Sequence, residues 1–230
     1  MRSTKGTKRI ENRDYVGLLI NKKYTICIIV DVSTQSIPGT EFARYFINSV
    51  IGSIQQLETI TPESVTQILK EFQQGLRSNY LHISASYLCF FWCSETNLAW
   101  SLILGDCRLG LLQSNSIDWV TPVHTGANPY GDTFTDKMKG LPERHIVTRS
   151  LHARGSTSPE LVALLINPQK TVIIASDGYW AEISLRKQFN ILSGQKIDTE
   201  DDCTYIEITK NLYDSVEKIS TINNFLIVKN

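Results

Sequence analysis

Val172-Ile173-Ile174-Ala175-Ser176-Asp177-Gly178-Tyr179-Trp180 carries the reading of this chain. Four apolar residues with strand preference run into Ser-Asp-Gly, where the backbone must turn. A buried strand that delivers one carboxylate at its tip builds a rigid catalytic or metal site. Asp-Gly is equally common as plain turn chemistry, so the stretch gains meaning only if other strands do the same.

Three others do. Thr25-Ile26-Cys27-Ile28-Ile29-Val30 is apolar on both faces, as in a strand buried between two layers, and ends in Asp31. Leu98 to Leu104 runs into Gly105-Asp106, and Asp201 directly precedes the strand-like Cys203 to Ile208. Four such carboxylates could converge on one rim if their strands share a sandwich. Hard oxygen donors without His or Cys suit Mg²⁺ or Mn²⁺ rather than zinc. Clustering them without a cation is costly, because like charges a few ångströms apart disfavour joint ionisation. Read one at a time, Asp106 is a turn residue, Asp201-Asp202 a solvated acidic turn, and Arg9 part of a basic tail.

The 230 residues, 42% of them hydrophobic, suffice for one full core, and a single domain over 1–230 is expected. Twenty-three basic residues balance 23 acidic ones, which disfavours polyanion binding, so no nucleic-acid partner is expected. No stretch is long enough to span a bilayer, and the five cysteines fit buried thiols better than a disulfide framework. A soluble cytoplasmic protein with no membrane partner is the expectation. His82, His124, His145 and His152 stand singly and read as surface or internally satisfied residues, and Trp92, Trp100 and Trp119 read as core.

In order, residues 1–8 read as a flexible basic arm. Asp14 to Ile20 and Tyr24 to Asp31 form a hairpin. Helical periodicity starts at Glu41, and Thr61-Pro62-Glu63 opens a second helix. Ile83 to Val120 reads as an antiparallel meander. Residues 125–143, rich in Gly and Pro, read as a functional loop or flap. His145 to Leu151 is expected as a short strand and Ser158-Pro159-Glu160 as the opening of an apolar stretch. Residues 179–193 are expected as helix, then a strand from Cys203 and a last strand over 222–229.

Short motifs in a fixed order carry a resemblance. Arg9-Ile10-Glu11-Asn12-Arg13-Asp14 is similar to Arg-x-x-Asn-x-Asp, and Val30-Asp31 to the start of Asp-Gly-x-Gly-Gly. Gly105-Asp106-Cys107-Arg108 is similar to Gly-Asp-Ser-Arg, and Ile146-Val147-Thr148-Arg149-Ser150-Leu151 to Ile-Thr-Arg-x-Leu. Ser176-Asp177-Gly178-Tyr179-Trp180 resembles Ser-Asp-Gly-Leu-Trp, and Asp201-Asp202-Cys203-Thr204 resembles Asp-Asn/Asp-x-Thr. The set resembles the metal-dependent serine/threonine protein phosphatases of type 2C, the PPM family.

That resemblance implies an α+β fold, a four-layer α/β/β/α sandwich of two antiparallel sheets flanked by helix pairs. It implies a phosphatase that hydrolyses phosphoserine and phosphothreonine in proteins with a metal-activated water, alongside a cognate kinase. Two Mg²⁺ or Mn²⁺ ions would be held by Asp31, the backbone carbonyl of Val32, Asp177 and Asp201. Asp106 would join Asp177 at a third, weaker site. Arg9 would grip the substrate phosphate, and Asp14 would stand behind the ligands. Residues 125–143 would lie where the family has its flap.

Val32-Ser33-Thr34-Gln35 stands where the family carries glycines, and a β-branched residue resists positive φ. Arg13 stands where many members have Glu or Gln. The alternative reading is therefore a regulatory binding module with a weakened metal site, and a third is a two-metal hydrolase of small phosphoesters.

Overall fold

The computed structural model describes residues 1–192, 194–195, 198–210, 219–220 and 224–229. The chain opens with β1 (Arg2–Thr4), then the antiparallel hairpin β2 (Asp14–Ile20) and β3 (Tyr24–Val32). Two helices follow, α1 (Gly39–Gln55) and α2 (Pro62–Gly75). The meander is β4 (Ser84–Cys93), β5 (Leu98–Leu104), β6 (Arg108–Leu112) and β7 (Ile117–Trp119). The short helix α3 (Asp136–Lys139) and a 3₁₀ turn at Pro142–His145 lead to β8 (Leu151–His152) and β9 (Glu160–Leu165). After β10 (Val172–Ala175) come α4 (Asp177–Trp180), α5 (Leu185–Leu192), β11 (Cys203–Ile208), β12 (Ile219–Ser220) and β13 (Phe225–Lys229).

One sheet has the order β12-β1-β11-β10-β6-β7, the other β13-β2-β3-β4-β5-β9 with β8 added beside β4. All pairings are antiparallel except β1–β12 and β2–β13. The two-residue period of the strands assigns their side chains to separate cores. On β3, Ile26, Ile28, Val30 and Val32 face the core shared with α1 and α2, while Cys27 and Ile29 face the core between the sheets. On β10, Val172 and Ile174 face the inter-sheet core, and Ile173 and Ala175 face a third core with Tyr179, Trp180 and Ile191. This explains why both strands are apolar on both faces. The α+β four-layer sandwich stands, with a second outer layer made of short helices only.

The N-cap of α2 is as the sequence predicts: Ser64 N–H donates to Thr61 Oγ1 at 3.2 Å, and Thr61 N–H donates to Ser64 Oγ at 3.0 Å. The first helix starts at Gly39, two residues before the expected Glu41.

Several expectations are corrected. The N-terminal arm is not frayed throughout, since Arg2–Thr4 pairs antiparallel with β11. Ser3 is buried there and shares a hydrogen bond with Thr204. Residues 125–143 are not structureless, for they contain α3. The strand expected from His145 to Leu151 is mostly turn: Pro142, with its fixed φ, opens a 3₁₀ turn that ends at His145. A single bridge at Val147 and the two residues of β8 are all that pair as strand there. The helix expected over 179–193 divides into α4 and α5, because Ala181 and Glu182 N–H both turn back to the Asp177 carbonyl. Its predicted end at Ser193, and Ile222 and Asn223 of the last expected strand, lie outside the described residues.

Candidate functional site

The four predicted carboxylates meet at one end of the sandwich. Asp31 lies directly opposite Asp14 on β2 and opposite Ser86 on β4. The pleat turns all three toward the space between the sheets, because Val16, Ile29 and Leu88 on the same faces line the inter-sheet core. Asp106 lies on the connection from β5 to β6, where the chain crosses from one sheet to the other. Asp177 opens α4, and Asp201 precedes β11. Asp31, Asp106, Asp177 and Asp201 line a cavity of about 370 Å³ together with Arg9 and Val32. Asp14, 1% exposed, stands behind the cavity rather than in its wall.

Two glycines make this convergence sterically feasible. Gly105 has φ of 102°, and a Cβ there would come within 2.1 Å of Ser86 Oγ. That close approach lets Ser86 Oγ donate to Asp106 Oδ1 at 2.7 Å. At Gly178 a Cβ would lie 2.0 Å from the carbonyl oxygen of Asp202, so the turns bearing Asp177 and Asp201 press backbone to backbone. Gly178→Ala should therefore destabilise the fold by about 2–3 kcal/mol, the usual cost of overpacking. A urea-unfolding titration checks it, and an unchanged midpoint would contradict the close approach.

Polar partners fix the remaining pieces. Ser176 Oγ donates to Asp14 Oδ2 at 2.7 Å, while Asp14 Oδ1 is buried without a partner. Asn12 accepts from Asp14 N–H at 3.0 Å and donates to Ser3 Oγ at 2.8 Å, which gives the Asn of the N-terminal motif a structural task. Asp202 accepts from Gly6 N–H and Arg13 N–H. His124 is internally satisfied, as expected: its Nδ1 accepts from Gly105 N–H at 3.1 Å and its Nε2 meets Glu160. Arg149, from the motif at 146–151, bonds the same Glu160.

Electrostatic crowding follows from the geometry. Desolvation, then the charges of Asp14, Asp177, Asp106 and Asp201, raise the Asp31 pKa well above the ordinary carboxylate value. Burial raises Asp14 well above it too, with Asp202 adding to the shift. Burial and the neighbouring Asp106 push Asp177 up to about 8. Asp106 is raised chiefly by burial.

Two of the four carboxylates carry arginine partners. Arg9 grips Asp201 with Nε at 2.5 Å and with Nη2, and also donates to Thr34 Oγ1. Arg144 Nη1 lies 3.2 Å from Asp177 Oδ2. Nothing in the sequence singles out Arg144, which follows Pro142-Glu143 in an irregular segment and reaches Asp177 only through the tertiary fold. Among the described residues, no three His, Cys, Asp or Glu side chains are arranged as a ready metal-ligand set.

The donor chemistry still fits a divalent cation. Crowded carboxylate oxygens favour a hard positive charge that would relieve their repulsion. Val32 is extended and paired with Ala85, and Asn97 is the one non-glycine residue with positive φ among those described. The Val32 side chain is buried in the core against α1 and α2, and its φ is not positive, so the expected strain at this eroded glycine position does not arise. Arg13 likewise does not aim at the carboxylates. Its Nη1 donates to the carbonyls of Ser33, Thr34 and Ser36 at 2.7–2.9 Å, holding the loop that replaces the glycines.

A two-sheet sandwich with helices outside is also the fold of solved bacterial serine/threonine phosphatases. The solved Streptococcus agalactiae serine/threonine phosphatase matches with a TM-score of 0.76 at 14% identity, over 90% of this chain and 96% of its own. The Staphylococcus aureus serine/threonine phosphatase matches with a TM-score of 0.71 at 16% identity, covering 89% of this chain and 91% of its own. A Streptococcus pyogenes protein carrying a protein-phosphatase-2C-type name is 24% identical over 213 residues, 85% of this chain and 84% of that protein. No family model matches the chain. The resemblance to the PPM family thus holds in sequence over most of the chain and in fold over nine-tenths of it.

Proposed function

We propose that this chain is a metal-dependent phosphatase that hydrolyses phosphoserine and phosphothreonine in proteins. The observation that carries the proposal is the convergence of Asp31, Asp106, Asp177 and Asp201 on one cavity beside Arg9. Asp31, the Val32 carbonyl, Asp177 and Asp201 hold two divalent ions, Mg²⁺ or Mn²⁺. Bound ions of this kind supply an activated water and neutralise charge on a transferring phosphoryl group. Arg9, part-exposed and attached through a flexible stem, exchanges Asp201 for the substrate phosphate, for which its planar fork suits two parallel bonds. Asp14, buried behind these ligands, would help to orient the attacking water. Residues 125–143 act as a flap, a role supported by the edge contact of Phe134 with Trp180, which adjoins the turn bearing Asp177.

The names of the relatives favour a phosphorylated protein as substrate; a serine/threonine kinase would be the enzyme that supplies it. No helix among the described residues is long and apolar enough to cross a membrane. The extended backbone at Val32 removes the main reason for reading the chain as an inactive binding module.

The test is phosphate release from a phosphothreonine peptide. EDTA is expected to abolish turnover and added Mn²⁺ to restore it. Turnover that survives EDTA would overturn the proposal, as would hydrolysis of small phosphorylated metabolites without any of phosphopeptides.

A further inference from the structure

The two arginines on the carboxylates differ in a way that separates their roles. Arg9 belongs to an exposed segment, its side chain is 23% exposed, and it divides its bonds between Asp201 and Thr34. Arg144 is more deeply buried, with a side chain only 6% exposed. Its backbone sits in the 3₁₀ turn opened by Pro142, where Arg144 N–H donates to the Leu141 carbonyl at 3.1 Å. The turn is pinned on its far side, where Ile146 N–H bonds Glu143 and Val147 bridges to Thr125.

Its charge serves a specific pair. Arg144 Nη1 contacts Asp177 Oδ2 at 3.2 Å, and its positive charge stands near enough to Asp106 to act on that carboxylate's charge. Its second terminal nitrogen, Nη2, meets His145 Nε2 at 3.3 Å. Asp106 and Asp177 are the pair that the resemblance assigns to a third, weaker ion. A bare divalent cation brought to that pair would face a buried guanidinium already neutralising it, and displacing a buried charge costs several kcal/mol.

We propose that Arg144 is a built-in cation occupying the electrostatic place of a third metal ion, so that this chain binds two ions and not three. The proposal rests on the two-ion reading of the cavity given above. Asp177 still has Oδ1 to offer a metal, because Arg144 engages only Oδ2. Asp106 is already held by the Ser86 hydroxyl, which donates to its Oδ1 at 2.7 Å.

Counting bound Mn²⁺ tests this without any assay of activity. Calorimetric titration, checked by metal analysis of the dialysed protein, should give two ions for the wild type and three for Arg144→Gln, whose Asp106–Asp177 pair has lost its counter-ion. Circular dichroism verifies that the variant is folded. Asp106→Asn serves as the independent arm and should still bind two. Three ions on the wild type, two on folded Arg144→Gln, or a site lost in Asp106→Asn would each overturn the assignment of Arg144 while leaving the phosphatase reading intact. No Mn²⁺ bound by the wild type would overturn that reading, and this inference with it.

Discussion

Asp31→Asn is expected to slow phosphopeptide hydrolysis by at least about a thousandfold, ~4 kcal/mol of transition-state stabilisation, while raising the melting temperature of the metal-free protein. Both effects have one cause. Asp31 is the carboxylate on which the cavity centres: it faces Asp14 directly across the hairpin, and Asp177, Asp106 and Asp201 all act on its charge. Without a cation, that negative charge opposes folding, since like charges directly opposite on paired strands repel and burial strips them of water. Asparagine keeps the shape and removes the charge. The gain is on the order of 1 kcal/mol, or about 2–4 °C for a chain of this size. The same replacement takes away one of the carboxylates that would hold the proposed ions. Differential scanning fluorimetry in EDTA and steady-state kinetics in Mn²⁺ measure the two sides. A variant within tenfold of wild-type turnover would remove Asp31 from the site, and a lowered melting temperature would refute the repulsion.

Most of this site could be read from the chain because its carboxylates sit where local sequence leaves a mark. Asp31 and Asp177 end strands that are apolar on both faces, and only a strand between two layers buries both. Gly105 and Gly178 flag places where a side chain would collide with a neighbouring strand or turn. The partners that set the electrostatics leave no such mark. Arg144 and Asp177 are 33 residues apart and meet only once the 3₁₀ turn is packed against α4. The strand Arg2–Thr4 contains no apolar residue at all. It is held by ladder bonds to β11 and by the buried hydroxyl of Ser3, features that a hydrophobic pattern cannot reveal. Val32 shows the opposite error. Family comparison points to a glycine there, yet this chain keeps the strand extended through Val32 and Arg13 then ties down the loop beyond it. Gly39 fits this arrangement, because a Cβ at that position would come within 2.8 Å of the Arg13 side chain.

The crowded carboxylates also dictate how stability should vary with pH. Asp14, Asp31, Asp106, Asp177 and Asp202 all have folded-state pKa values raised above the ordinary value, burial being the largest cause in each case. A carboxylate raised in this way binds its proton more tightly folded than unfolded, where its pKa is about 3.9. It therefore contributes stability at low pH that is lost as pH rises through the folded value. Asp177, at about 8, extends that window to the alkaline side of neutrality even though Arg144 draws its pKa down. Glu182 and Glu207, also raised by burial, act in the same direction. His124 opposes them: burial lowers its pKa below 6.5, so it costs stability as pH falls through the ordinary histidine range. One histidine against five clustered aspartates does not reverse the trend. The metal-free protein should melt at a lower temperature at pH 8 than at pH 5. Saturating Mn²⁺ should flatten or invert the slope, since metal binding requires these groups deprotonated and so competes with their protons. Melting curves at half-unit pH steps, in EDTA and in Mn²⁺, decide it. A metal-free curve that is flat or rises across pH 5–8 would mean that the carboxylates do not share one desolvated cavity.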